Sequence, residues 1–203
     1  MAAASTKKAK ANTKNTFAVA LIEYMEMFVF AIVFVILLMT FFFRICQVDG
    51  PSMNKTLTHG ERLIITDFFY TPQQGDIIVF HLASSDVEAY NKPIVKRVIA
   101  TEGQFVKIDY QANKVYVSND ESFDENELID ESRYAFISGN VWNEATRAES
   151  AEVFSVPSGH LFVMGDNRNN SADSRNEHIG TIPMECVLGR ALLRMAPFTV
   201  FSR

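Results

Sequence analysis

Ile94-Val95-Lys96-Arg97-Val98-Ile99-Ala100 is the stretch on which the reading of this chain turns. It reads as a β-strand. Strand alternation puts Ile94, Lys96 and Val98 on one face and Val95, Arg97 and Ile99 on the other, so Lys96 is flanked by apolar side chains. Outward from it, similar short runs recur at 62–66, 76–80, 105–110, 114–117, 154–156 and 161–164. Turn signals separate them: His59-Gly60, Thr71 to Gly75, Glu102-Gly103, Asn113 and Pro157-Ser158-Gly159. No long helical pattern interrupts them. Closely spaced short strands predict a mainly β, antiparallel domain rather than a parallel α/β sheet.

Upstream the character changes. From Met27 to Phe43 every residue is apolar except Thr40, and Phe17 to Ile22 extends the run. Seventeen helical residues span roughly 25 Å, just under the ~30 Å of a bilayer's hydrocarbon core, and the turn around Tyr24 makes up the shortfall. Lys7, Lys8, Lys10 and Lys14 precede the run with no acid among the first fourteen residues, and a single Arg44 follows it. That asymmetry predicts an N-inside orientation. The bulky flank Phe41 to Cys46 lacks the small-x-small pattern of a cleaved leader, so a retained anchor in the lipid bilayer is expected. The predicted organisation is a cytoplasmic basic tail (1–16), a transmembrane anchor (17–43), an extracytoplasmic β domain (44–103 and 154–203) and a small inserted subdomain (104–153).

Composition narrows the function. A formal net charge of -5 argues against a nucleic-acid partner. Two cysteines, Cys46 and Cys186, cannot build a disulfide scaffold or a four-ligand zinc site, and two isolated thiols are expected. The acidic run from Asp120 to Glu131 reads as a solvated loop or hairpin face, its spacing fitting no EF-hand.

Three polar segments remain. Gly50-Pro51-Ser52 offers a hydroxyl in a tight turn just after the anchor. Lys96 offers an amine. A free lysine, with a pKa of about 10.4, is charged near neutral pH and useless as a base, but burial disfavours the charged form. The third is Gly165-Asp166-Asn167-Arg168-Asn169-Asn170-Ser171-Ala172-Asp173-Ser174-Arg175, rich in acceptors and forked donors. Ser171 is a candidate to hydrogen-bond the Lys96 amine. Read as a calcium loop this segment fails, since Arg168 takes the third ligand position and Ser171 the turn glycine's place. His59, His81, His160 and His178 lack an aspartate at recognisable triad spacing. Taken one at a time, Ser52 reads equally as a turn residue, Lys96 as a snorkelling edge lysine and the loop as a salt-bridged structural element.

Taken together and in this order behind an anchor, the segments resemble type I signal peptidase, in the short single-anchor form typical of Gram-positive bacteria. Gly50 to Leu57 matches its nucleophile box, Gly75 to Phe80 a strand box, Lys96 to Ile99 its lysine box and Gly165 to Arg175 its last box. The resemblance implies a serine endopeptidase that cleaves exported preproteins after small residues in an Ala-x-Ala pattern, through an acyl-enzyme, with no metal or cofactor. It implies a β-rich Ser/Lys protease fold, and a monomer is expected. Ser52 would be the nucleophile, Lys96 the general base and acid, and Ser171 the residue positioning Lys96. Asp173 and Arg175 would brace the site, and Asp166 and Arg168 the loop. Some relatives carry an oxyanion-donating hydroxyl where Gly50 stands here, which leaves the Ser52 backbone N–H as the donor. Lys55 stands where proline is usual, Asn169 where aspartate is common, and Ala100 to Gly103 replace a Gly-x-Pro-Gly turn.

Overall fold

The computed structural model describes residues 2–82, 91–137 and 151–201, with side chains from Val19 onward. It divides into two compact units, Met1–Phe43 and Arg44–Arg203. The first is one helix, α1 (Ala2–Phe42). Its stretch Val19–Phe42 is 24 residues long with a mean hydropathy of 2.6 and no share of it buried within the chain. At 1.5 Å per residue that is about 36 Å, enough to cross the ~30 Å hydrocarbon core. A helix apolar on every side has no stripe to turn toward a protein core, and lipid is the medium that suits it. The lysines of the basic tail belong to α1, but their side chains lie outside the described residues.

The second unit is mainly β. Its strands are β1 (Arg44–Gln47), β2 (Arg62–Thr66), β3 (Ile77–Phe80), β4 (Ile94–Ala100), β5 (Phe105–Asp109), β6 (Lys114–Ser118), β7 (Glu152–Ser155), β8 (His160–Met164), β9 (Ile182–Pro183), β10 (Val187–Arg194) and β11 (Thr199–Val200). They pair antiparallel in a large sheet of order β1-β2-β10-β3-β4-β8-β9, with β11 beside β10, and a small one of order β6-β5-β7. All seven strands expected from the sequence form, each within two residues of its expected ends. Four others were not anticipated: β1, β9, β10 and β11.

The central strands explain the apolar runs. In β3, Ile77 and Val79 pack with Met53, Leu57, Leu63 and Val95, while Ile78 and Phe80 pack with Val98, Leu161 and Val163. Both faces are covered, so the run has no polar alternation. Each aliphatic side chain buried this way contributes about 1.5–3 kcal/mol of transfer free energy. A third cluster joins Val106, Ile108 and Val115 of the small sheet to Ile99, Phe162 and Met164 of β4 and β8. The inserted segment therefore shares a core with the large sheet; residues 138–150 of it lie outside the described residues.

β10 pairs β2 on one side and β3 on the other, with register shifts between Val187 and Gly189 and between Ala191 and Leu193. Gly189 has φ +149°, and a Cβ there would lie 2.7 Å from the Thr66 carbonyl oxygen and 2.8 Å from its carbon. Both contacts are with backbone inside a sheet, which cannot move aside. Gly189→Ala should lower stability by at least about 2 kcal/mol, as overpacking and strain combine. Urea unfolding should show a lower midpoint at unchanged slope.

Candidate active site

Lys96 sits in the middle of the large sheet, opposite Ile78 in the β3–β4 register, and is 3% exposed. Its Nζ donates to Ser52 Oγ at 2.8 Å and to the Val95 carbonyl at 3.1 Å. Burial lowers its pKa to about 8 from the usual 10.5; the carboxylates of Asp173 and Asp166 pull the other way, and the Arg175 guanidinium adds to the depression. The shift corresponds to roughly 3 kcal/mol of lost preference for the charged form. Burial thus brings a sizeable neutral fraction within reach of ordinary pH.

Ser52 is presented by a helical turn. Pro51 accepts from the Asn54 N–H at 3.0 Å, and the Met53 carbonyl accepts from Thr56 and Leu57 at 3.1 and 2.8 Å. Met53 and Leu57 are buried in the core beneath, which fixes the turn while Ser52 stays half-exposed. Ser52 and Lys96 both line a cleft of about 200 Å³, together with Val48, Pro93, Val95 and Ala172.

The loop after β8 closes around this pair. The Asn167 N–H donates to the Ser52 carbonyl at 2.9 Å, and its side-chain amide donates to Pro51 at 3.2 Å. Gly165 lies so close that a Cβ would stand 2.5 Å from the Ser52 carbonyl oxygen and collide with the Ser171 hydroxyl. Glycine is the residue that permits this approach. Asp173, fully buried, accepts from the Gly165 N–H at 2.9 Å and from Arg175 Nε and Nη2 at 2.7 and 2.8 Å. Burial alone would raise its pKa, but the Arg175 charge and these hydrogen bonds outweigh it and hold the carboxyl below its usual range. Arg175 reaches on to the Arg168 carbonyl at 3.0 Å, and Arg168 Nε donates to the Gly165 carbonyl at 3.0 Å.

The structure brings together Ser52 and Lys96, and holds Asp166, Arg168, Asp173 and Arg175 in one buried ionic frame. Ser171 is different. Its Oγ is buried without a hydrogen-bond partner among the described residues, so the expected bond to Lys96 is not made. It stays near enough to Asp173 to favour the ionised carboxylate. His59 does approach an aspartate, with Nδ1 3.4 Å from Asp49 Oδ1, but both are well exposed and Nδ1 also faces the Gly50 N–H at 3.1 Å. Cys46 and Cys186 are free thiols.

Two partners were not read from the sequence. Arg97, next to Lys96, forms a bidentate pair with Asp166 at 2.8 and 2.7 Å, with its guanidinium 4.1 Å from the centre of the Tyr134 ring. Glu131, last of the acidic run, pairs with the fully buried Arg168 through both carboxylate oxygens. Its solvated-face reading is therefore corrected: Asp120, Glu121, Asp124 and Glu125 are exposed, but the run's end is structural. No local signal marked it: the loop's two arginines and two aspartates balance in the sequence, and Arg168 needs an outside acid because Arg97 takes Asp166.

Comparison with known proteins bears on the family. The family model described as "Signal peptidase, peptidase S26" matches residues 21–196. A signal peptidase I of Bacillus caldolyticus is 34% identical over 85% of this chain and 90% of its own length. One from Bacillus licheniformis is 31% identical over 95% of this chain and 96% of its own. A probable signal peptidase I-1 of Synechocystis sp. is 32% identical over 86% and 82%. A crystal structure of a signal peptidase I from Enterococcus faecalis V583 aligns with 60% of this chain and 97% of its own at 27% identity, with a TM-score of 0.39. With the family model spanning most of the chain and relatives matched along most of their own length, this chain belongs to the signal peptidase family, peptidase S26.

Proposed function

We propose that the chain is a membrane-anchored serine endopeptidase that cleaves signal peptides from exported preproteins by a Ser52/Lys96 dyad. One observation carries the reading: a buried lysine amine with a pKa of about 8 lies 2.8 Å from a half-exposed serine hydroxyl in an open cleft. When Lys96 is neutral, the Ser52 hydroxyl donates its proton to Nζ as Oγ attacks the scissile carbonyl. The Ser52 backbone N–H faces the developing oxyanion. The Lys96 ammonium then protonates the leaving amine, which departs as the new N-terminus of the mature protein. The neutral amine next takes a proton from water as its oxygen attacks the Ser52 ester. The ammonium then returns that proton to Ser52 Oγ as the ester bond breaks, which releases the signal peptide and restores the neutral amine. No metal or cofactor enters these steps.

The cleft supports a preference for small side chains. Its walls at Val48, Pro93, Val95 and Ala172 are apolar, and a volume of about 200 Å³ suits small side chains such as those of Ala-x-Ala. The β4–β8 ladder begins at Arg97, so Ile94, Val95 and Lys96 lack a β8 partner on that side. An extended substrate segment can add there as a strand, its backbone hydrogen-bonded to β4. The apolar helix α1 would hold the enzyme in the cytoplasmic membrane as a single pass, with the basic tail inside and the β unit outside. Asp166, Arg168, Asp173 and Arg175 are assigned as braces of the site, and Ser171 as the hydroxyl that orients Lys96 once substrate is bound.

Ser52→Ala and Lys96→Ala should each abolish processing of an Ala-x-Ala preprotein in detergent while leaving the β-type circular dichroism unchanged; normal turnover by either would remove that residue from the mechanism. Since the neutral amine is the active form, kcat/KM should rise about tenfold per pH unit below about 8 and level off above it. Ser171→Ala should lower kcat at least tenfold with little change in KM, and an unchanged kcat would assign that hydroxyl to packing alone.

A further inference from the structure

Lys55 lies in the nucleophile turn, between the buried Met53 and Leu57, with its backbone at φ +92°. No proline could take that conformation, and few L-residues do so without strain. Strain of this kind persists where surrounding contacts over-determine it. The contacts are present. Lys55 Nζ donates to the Ser132 carbonyl at 2.9 Å and to the Ala135 carbonyl at 3.1 Å, residues roughly eighty positions away. Those carbonyls end a single helical turn in which the Tyr134 and Ala135 N–H groups donate to the Glu131 carbonyl at 3.1 and 2.9 Å. A cation at the C-terminal end of a turn satisfies carbonyls that have no partner within it.

The segment that Lys55 grips is itself fastened to the loop after β8. The Phe136 N–H donates to the Asp166 carbonyl at 2.7 Å, and the Arg168 N–H to the Phe136 carbonyl at 3.0 Å. Glu131 pairs with Arg168, and Tyr134 stacks on the Arg97 guanidinium. Asn167, between those anchor points, holds the Ser52 carbonyl. The bonds close a ring: Ser52 to Asn167, the 165–168 loop to Phe136, Ala135 to Lys55, and Lys55 through three peptide units back to Ser52. The strap at 131–137 is not among the residues lining the cleft described above; the ring meets that cleft at the Ser52 turn.

We infer that Lys55 is a positioning residue whose ammonium closes this ring and fixes the Ser52 turn against the 131–137 strap. The inference rests on Ser52 being the nucleophile for its catalytic consequence, but the tie itself is a separate claim. Three variants test it: Lys55→Arg, which keeps a cation able to reach two carbonyls; Lys55→Met, which keeps the stem and removes the charge; and Lys55→Gly, which removes the amine but relieves φ +92°. Preprotein cleavage and peptide-resolved hydrogen exchange are measured on the full-length protein in detergent, with the melting temperature of each variant. Met and Gly should lower kcat about tenfold with KM within twofold, and Arg should restore most of it. The apparent pKa of kcat/KM should not move, because the surroundings of Lys96 are intact. Exchange of peptides covering 131–137 should quicken about tenfold in Met and Gly but not in Arg.

Unchanged exchange in Lys55→Met would overturn the tie, whatever the activity. Full activity in Lys55→Gly would overturn the positioning role, leaving a tie with no bearing on catalysis. A loss in kcat that merely follows a lowered melting temperature, with KM and the pH profile shifting together, would do the same. If the wild-type protein cleaves no preprotein, the proposed function fails, while the exchange result still decides the tie.

Discussion

Removing water from one amine is the constraint around which the β unit is arranged. A lysine on the surface of a sheet keeps its proton, and its neighbouring serine remains an alcohol. Lys96 is placed where three packed strands, β3, β4 and β8, meet the Ser52 turn, and there hydration is lost. Two features then have to be reconciled. On the proposed mechanism the amine must be dry, yet the serine beside it must face an open cleft. The turn solves this by burying Met53 on one side of Ser52 while leaving the hydroxyl half-exposed.

The buried carboxylates beside this amine make sense on the same grounds. Asp166 and Asp173 each favour the charged ammonium. Left unpaired, they would undo what burial achieves. Each carries a guanidinium, Arg97 on Asp166 and Arg175 on Asp173, and the Arg175 charge opposes their pull at Nζ. Such pairs are weak sources of stability, since desolvation consumes most of their attraction. Their use here is geometric: forked donors and two-oxygen acceptors fix direction as well as distance. The frame extends through Arg168 to Glu131, which enlists the inserted segment in support of the loop.

Much of this was legible in the residues. Alternation within 94–100 located the central strand, and turn chemistry bounded six more. The meeting of Ser52 and Lys96 could be anticipated because the two lie in segments with no better use for them. What escaped notice has physical causes. β10 is written in leucine, alanine and arginine, with a glycine in its middle and two shifts of register, so neither composition nor period two marks it. β9 and β11 are two residues long and exist only through their neighbours. β1 continues directly from the apolar helix and reads as its flank. Glu131 looked like one more solvated acid because its partner lies 37 residues further along, and nothing local distinguishes it from Glu127. Ser171 shows the opposite limit. Its place in the loop was clear from the sequence, but which group a hydroxyl addresses depends on angles that spacing does not encode.

The position of β10 in the large sheet has a consequence for how the protein comes into being. It is among the last strands to be synthesised, yet it lies between β2 and β3, two of the first. Until residues 187–194 arrive, those earlier strands have an open seam between them, and the core that seats Met53 and Leu57 lacks Ala191. Pairings over such long separations form late and slowly. A nascent chain holding both Ser52 and Lys96 is thus still without a finished floor beneath the serine turn until residues 187–194 have been made.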